Sequence, residues 1–207
     1  MKELVLISDI HGCHKTLLAL LEKANPNGDR EVYFLGDMID RGPNSRGVLE
    51  YAIANAVKCV MGNHEHMMLC AFDKLPDSPY INPSIWLMNG GVDALKSFEH
   101  AVPDSILNWV SNIPYYIIPK DYPELLLSHT GHGMNPNKFD GVWCRETSFP
   151  KDDYYRVFGH TQETKPIITE KWAMIDTGCA YVPYYGKLTA MIWPTKEIIQ
   201  QNNIDKE

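Results

Sequence analysis

Acidic, histidine and amide side chains recur in three short glycine-marked stretches: Asp9-Ile10-His11-Gly12, Gly36-Asp37-Met38-Ile39-Asp40-Arg41-Gly42 and Gly62-Asn63-His64-Glu65. Two more histidines, His129 and His160, follow later in the chain. Carboxylate oxygen, imidazole nitrogen and amide oxygen together suit borderline divalent ions such as Mn, Fe or Zn, and the set lacks the thiolates of a structural zinc site. Taken singly, the stretches have ordinary readings: a loop Asp near a His, a surface turn between glycines, a helix capped by Asn63. Position argues for more. Asp9, Asp37, Asn63, His129 and His160 each stand just beyond the end of an apolar run. In an open α/β sheet the carboxyl ends of the strands face one crevice. These residues, joined by His11, can therefore converge from distant parts of the chain, and a dinuclear metal centre is the natural reading.

The elements that must position them follow from the pattern of apolar residues. Glu3 to Ser8 reads as a strand buried on both faces, and His14 to Ala24 carries Leu17, Leu18 and Leu21 at helical spacing before Asn25-Pro26-Asn27-Gly28 ends the helix. Glu31 to Leu35 is a second strand, residues 45 to 55 a second helix and Val57 to Met61 a third strand. This βαβαβ order predicts a parallel sheet with right-handed crossovers. Asp73 to Trp109 reads as loops and helices without firm boundaries. Beyond it, Tyr115–Ile118, Glu124–Ser128, Tyr154–Phe158, Trp172–Ile175 and Lys187–Trp193 are strands expected to form a second, mainly antiparallel sheet.

The chain has 207 residues, of which 44% are hydrophobic and 22% charged, values of an ordinary folded protein and consistent with one domain over 1–207. A net charge of −7 opposes general binding to a nucleic-acid backbone, so any phosphate affinity must be local. The N-terminal apolar run is interrupted by Asp9 and His11 and is too short for a signal peptide core or a membrane span, which predicts a cytoplasmic protein without membrane contact. Five cysteines without a CxxC pair read as reduced, buried thiols. His14, His66, His100 and His132 are set aside as packing or surface residues. Tyr181, Tyr184 and Tyr185 are read as stacking between strands of the second sheet in preference to lining a substrate groove.

The ordered motifs DIHG, GDMIDRG and GNHE, with His129 in LLLSHTG and His160 in VFGHT, resemble the PPP-type phosphoesterases among the calcineurin-like metallophosphoesterases. WLMNGG at Trp86 to Gly91, VWCRE at Val142 to Glu146 and MIDTG at Met174 to Gly178 extend the resemblance to the branch of phage lambda protein phosphatase and its bacterial relatives. Thr130 departs from the Ala common after this histidine. The resemblance implies a four-layer αββα sandwich with two mixed β-sheets. It assigns Asp9, His11 and Asp37 to one divalent metal ion, and Asp37, Asn63, His129 and His160 to another, with Asp37 bridging. The ions would be Mn, with Fe or Zn as alternatives. It also makes His64 the general acid, Asp40 its orienting partner, and Arg41 and Arg145, with Asn63, the groups that hold the substrate phosphate.

On this resemblance the expected activity is hydrolysis of phosphoserine or phosphothreonine in proteins and peptides, extending to phosphotyrosine and small phosphate esters, by direct attack of a metal-bridging hydroxide. A symmetrical dinucleoside tetraphosphatase is the alternative. Glu65 weighs against it, because that group usually has Asp after GNH and a longer chain. A noncatalytic metal-binding interaction scaffold is the third reading, disfavoured by the intact ligand set and His64.

Overall fold

The computed structural model describes residues 2–75, 82–135 and 137–205. The first sheet begins as expected. β1 (Leu4–Ile7), β2 (Glu31–Phe34) and β3 (Lys58–Cys59) run parallel, joined by α1 (His14–Ala24) and α2 (Ser45–Ala54). α3 (Asn63–Ala71) follows β3. The middle of the chain then holds α4 (Pro83–Trp86), a π-helical turn (Leu87–Gly91), α5 (Val92–Ser97) and α6 (Asp104–Ser111). Residues 76–81 of the stretch expected to mix loops and helices lie outside the described residues.

The second sheet contains β4 (Tyr116–Ile117), β5 (Leu125–Ser128), β6 (Tyr155–Phe158), β7 (Ile167–Ile168) and β8 (Trp172–Met174), with α7 (Lys138–Trp143) between β5 and β6. Its order is β4-β5-β6-β8-β7. Two expectations are corrected here. The sheet is not mainly antiparallel: β5, β6 and β8 are parallel, and only the edge strands β4 and β7 run against their neighbours. Lys187–Trp193 does not belong to it. That segment is β9, which pairs antiparallel with β1 and carries β10 (Glu197–Asn202) to the edge of the first sheet. The near-continuous apolar run of β9 suits a strand covered on both faces, and period-two alternation alone does not choose its sheet.

The alternation does show how the layers stack. Leu4 and Leu6 of β1, with Met191 and Trp193 of β9, turn to a core shared with Leu125, Leu127 and Val157 of the second sheet. Val5 and Ile7, with Ala190 and Ile192, face Leu17, Leu20, Val48 and Leu49 of the helices on the opposite side. On the outer face of the second sheet, Phe149 packs against Phe158 and Trp172. The result is an α/β fold of two facing mixed sheets. Cys13, Cys59, Cys70 and Cys179 are buried. Among the described residues no helix is long and apolar enough to cross a membrane.

Candidate metal centre

Both sheets direct the carboxyl ends of their parallel strands to one place. β1 leads to Asp9, β2 to Asp37, β3 to Asn63, β5 to His129 and β6 to His160. The turns are sharp: Asp9, His11, Asp37, Asp40, Arg41 and His160 all have φ between 47° and 73°. Side chains other than glycine rarely take this left-handed conformation, and its concentration here marks a backbone bent to aim functional groups. Glu65 holds two of the turns together. Its Oε1 accepts the Met38 and Ile39 N–H groups at 2.8 and 3.3 Å, and its Oε2 accepts those of Asp37 and Gly62 at 2.9 and 3.0 Å. Burial and the adjacent Asp37 carboxylate push the Glu65 carboxyl up to about 7. Gly62 is required there, since a Cβ would lie 2.3 Å from Asp37 N and Oδ1.

The first donor cluster is tight. His129 Nε2 lies 3.0 Å from Asn63 Oδ1, 3.1 Å from His160 Nδ1 and 3.4 Å from Asp37 Oδ1, and His160 Nδ1 lies 3.1 Å from Asn63 Oδ1. Ligands about 2.0–2.2 Å from one ion stand about 2.8–3.6 Å apart in octahedral or tetrahedral coordination, so these separations fit a shared cation. The tautomer fits as well. His129 Nδ1 donates to the Leu35 carbonyl at 2.9 Å, which leaves the lone pair on Nε2, inside the cluster.

The second cluster brings His11, Asp37 and His64 together. His11 Nε2 and His64 Nε2 lie 3.6 and 3.8 Å from Asp37 Oδ2, and the two rings meet edge to face at 4.8 Å. His11 Nδ1 donates to the Ile39 carbonyl at 2.9 Å, again leaving the lone pair on Nε2. Burial lowers the pKa of His11 and of His64, and holds that of His160 down at about 2, so these rings are neutral, the form that ligates metal. Burial also raises the pKa of Asp37, with Asp9 adding to the effect. Asp9 stands outside both clusters. Its Oδ2 accepts the His160 N–H at 3.0 Å and the Ser8 hydroxyl, while its Oδ1 is buried without a partner. An orphaned carboxylate oxygen beside neutral imidazoles is a donor set suited to a divalent ion.

Asp40 and His64 are joined at 2.6 Å through Oδ2 and Nδ1. Sequence reasoning missed the group that fixes this pair. Trp86 Nε1 donates to both Asp40 oxygens at 3.0 Å, and the Asp40 N–H donates to Ser45 Oγ at 2.9 Å. The WLMNGG motif carries the signal. Gly91 leaves room for the Trp86 ring, which a Cβ would approach to 2.6 Å, and Gly90, at φ 110°, accepts the Arg41 N–H at 3.3 Å.

Arg41 is half-buried, and its Nη1 donates to His11 Nε2 at 2.5 Å while the guanidinium lies 4.9 Å from the centroid of the Tyr181 ring. Arg145 is exposed and reaches the His160 carbonyl at 3.4 Å and Thr161 Oγ1 at 3.5 Å. Thr130 turns its hydroxyl to the Gly141 carbonyl at 2.8 Å, away from the donor clusters. The tyrosine expectation is corrected. Tyr181 packs edge-on to His11 at 6.3 Å and Tyr184 is 85% exposed, because residues 181–185 cross from the second sheet to the first rather than lie between strands.

Residues 3–164 match the family model described as calcineurin-like phosphoesterase. Two similar curated proteins are symmetrical bis(5'-nucleosyl)-tetraphosphatases. That of Photorhabdus laumondii is 35% identical over 129 residues, 61% of this chain and 43% of the relative. That of Salmonella paratyphi C is 29% identical over 136 residues, 61% of this chain and 42% of the relative. The matched stretch spans less than half the length of these relatives. A crystal structure provisionally described as a diadenosine tetraphosphatase superposes with a TM-score of 0.73 at 21% identity, covering 98% of this chain and 94% of the other, a likeness of fold. The matched model covers all three glycine-marked motifs together with His129 and His160, and the chain belongs to the calcineurin-like phosphoesterases.

Proposed function

We propose that this chain hydrolyses dinucleoside tetraphosphates symmetrically, with two divalent cations held by Asp9, His11, Asp37, Asn63, His129 and His160. The observation that carries the choice of substrate is the 29–35% identity to symmetrical tetraphosphatases. It reverses the preference for a phosphoprotein substrate drawn from the motifs. The argument from Glu65 loses its force on physical grounds: Glu65 is fully buried, and both its oxygens are occupied by backbone N–H groups. A residue so placed shapes the turns and does not touch substrate.

When bound, the cations polarise phosphate oxygens and supply a hydroxide nucleophile near neutral pH. The chain's own groups then have distinct tasks. Asp37 turns Oδ1 toward His129 and Oδ2 toward His11, which lets one carboxylate serve both clusters. Asp40 and Trp86 fix the His64 ring with Nε2 facing the centre, where the ring, neutral at rest, can give a proton to the leaving oxygen once it has taken one up. Arg41 and Arg145 supply guanidinium groups for the phosphate chain, which carries several charges into an acidic protein.

The test is a product assay with chelator-stripped protein reloaded with Mn and given diadenosine tetraphosphate, a phosphoserine peptide and p-nitrophenyl phosphate. The proposal expects ADP as the sole nucleotide product, no turnover before reloading, and the highest kcat/KM on the dinucleotide. ATP and AMP as products would overturn the symmetrical cleavage. A higher kcat/KM on the phosphopeptide would restore the phosphoprotein reading.

A further inference from the structure

The MIDTG motif contains a carboxylate for which the reading above has no use. Asp176 follows β8 by two residues, as His160 follows β6. These strands are parallel neighbours with Phe158 opposite Met174, so the two positions leave the sheet side by side. Asp176 is 1% exposed. Its Oδ1 accepts the Gly178 N–H at 2.8 Å, which closes a local turn, and its main-chain carbonyl accepts the Glu163 N–H at 3.1 Å. Its Oδ2 is buried with no hydrogen-bond partner. The turn explains one oxygen and leaves the other unexplained.

Asp9 has the matching defect in its buried, unpartnered Oδ1. Asp9 lies against the same strand ends: its Oδ2 accepts the His160 N–H at 3.0 Å, and the Ile175 N–H, next to Asp176, donates to the Phe158 carbonyl at 2.9 Å. Burial raises the Asp176 carboxyl well above the usual carboxylate range, with Asp9 and Asp37 adding to the effect and Arg41 opposing it. Buried carboxylates of like charge gathered in one place are repulsive unless a cation or proton joins them. Seven donor groups then issue from six strand ends, with Asp176 adding β8 to the strands that lead to Asp9 and His11, Asp37, Asn63, His129 and His160.

We propose that Asp176 is a further carboxylate of the cation centre, set on its Asp9 side, where it raises affinity for a divalent cation. The inference rests on the two-cation reading above. Asp176 is here a positioning residue, acting through the ion and its immediate ligands.

Asp176→Asn is the discriminating substitution. Asparagine keeps an oxygen for the Gly178 N–H and puts an NH2 group where the unpartnered oxygen stands, within the neighbourhood of Asp9. Mn binding to chelator-stripped protein is measured by titration calorimetry, and the melting temperature of the same metal-free protein is measured alongside. The expected result is a loss of affinity at one of two sites, roughly 10–100-fold, the range typical of residues that support metal ligands. The metal-free melting temperature should not fall, because asparagine keeps the oxygen that accepts the Gly178 N–H. Asp176→Glu, which keeps the charge, should recover part of the affinity. Wild-type affinity at both sites in Asp176→Asn would overturn the inference, as would a metal-free melting temperature that falls together with affinity. Wild-type protein that takes up no Mn would instead overturn the two-cation reading, before any variant is compared.

Discussion

Exchanging the Glu65 carboxylate for an amide changes the side chain by one heavy atom, yet its surroundings make the change expensive. All four backbone partners of Glu65 are N–H donors, two at each oxygen. In Glu65→Gln the amide nitrogen must replace one oxygen, and in either orientation it faces two donors. The Ile39 contact is the longest at 3.3 Å, so the nitrogen should take the Oε1 side and leave the Met38 and Ile39 N–H groups unsatisfied. A buried donor without a partner costs about 1–3 kcal/mol, which gives roughly 2–6 kcal/mol for two, with the lower half expected because one bond was already weak. For a chain of this size each kcal/mol shifts the melting temperature by roughly 2–4 °C, so metal-free Glu65→Gln, at roughly 2–4 kcal/mol, should melt roughly 4–16 °C below wild type. Circular dichroism melting of chelator-stripped protein reads this directly. A melting temperature within about 1 °C of wild type would refute the argument that Glu65 ties the turns together, since a shift that small lies below the cost of even one orphaned donor. Glu65→Asp separates scaffold from specificity. It retains the charge and shortens the reach, so it should lower stability while leaving the ratio of dinucleotide to phosphopeptide hydrolysis unchanged.

Other variants test the proposed ligands and the acid. Asp37→Asn should deplete both cations, because its two oxygens face different clusters, whereas His11→Ala should deplete one; elemental analysis of the purified variants decides, and two ions per chain in Asp37→Asn would contradict bridging. Trp86→Phe removes the N–H that holds the Asp40 carboxylate, and a hydrogen bond to a charged group is worth about 1.5–3 kcal/mol, so kcat should fall roughly 10–100-fold with metal content intact. His64→Asn should slow phosphoserine peptides by roughly 10²–10⁴-fold and diadenosine tetraphosphate by less, because ADP leaves more readily than a serine alkoxide. Equal slowing of both substrates, with chemistry rate-limiting and both ions present, would remove His64 as the leaving-group acid.

The βαβαβ half of the fold was legible because each strand there is an unbroken apolar run ended by a polar residue, and the helices between carry leucines at helical spacing. The same signal located the convergence of Asp37, Asn63, His129 and His160. The direction of β5, β6 and β8 was not legible. Their connections contain α7 and long irregular segments, and direction is set by where the chain returns rather than by any residue in the strand. β10 was missed for a related reason: Glu197-Ile198-Ile199-Gln200-Gln201-Asn202 lies at a half-exposed edge and lacks both a long apolar run and clean alternation. Within the site, Trp86 and Asp176 could be seen only as parts of motifs. The indole reaches Asp40 across 46 residues of sequence, and the Asp176 oxygen is notable for a partner it lacks, which no spacing in a sequence reveals.

The last segment of the described chain explains how the first motif keeps its shape. His11 and Gly12 sit in left-handed turns immediately before α1, and Cys13 at the head of that helix makes no side-chain cap. A bent turn feeding an uncapped helix would leave its first N–H groups unpaired. Asp205 fills the place: its carboxylate accepts the Lys15 and Thr16 N–H groups at 3.0 and 2.8 Å and the Thr16 hydroxyl at 2.6 Å, adding negative charge at the positive end of the helix. Two residues earlier, Asn203 donates to the Cys179 carbonyl at 2.7 Å and to Cys13 Sγ at 3.4 Å. Through β10 and its two final contacts, the end of the first sheet therefore joins the turn that carries His11 to the loop that follows Asp176. Residues from opposite ends of the sequence thus hold the Asp9 side of the centre, where the left-handed turns have least helical support of their own.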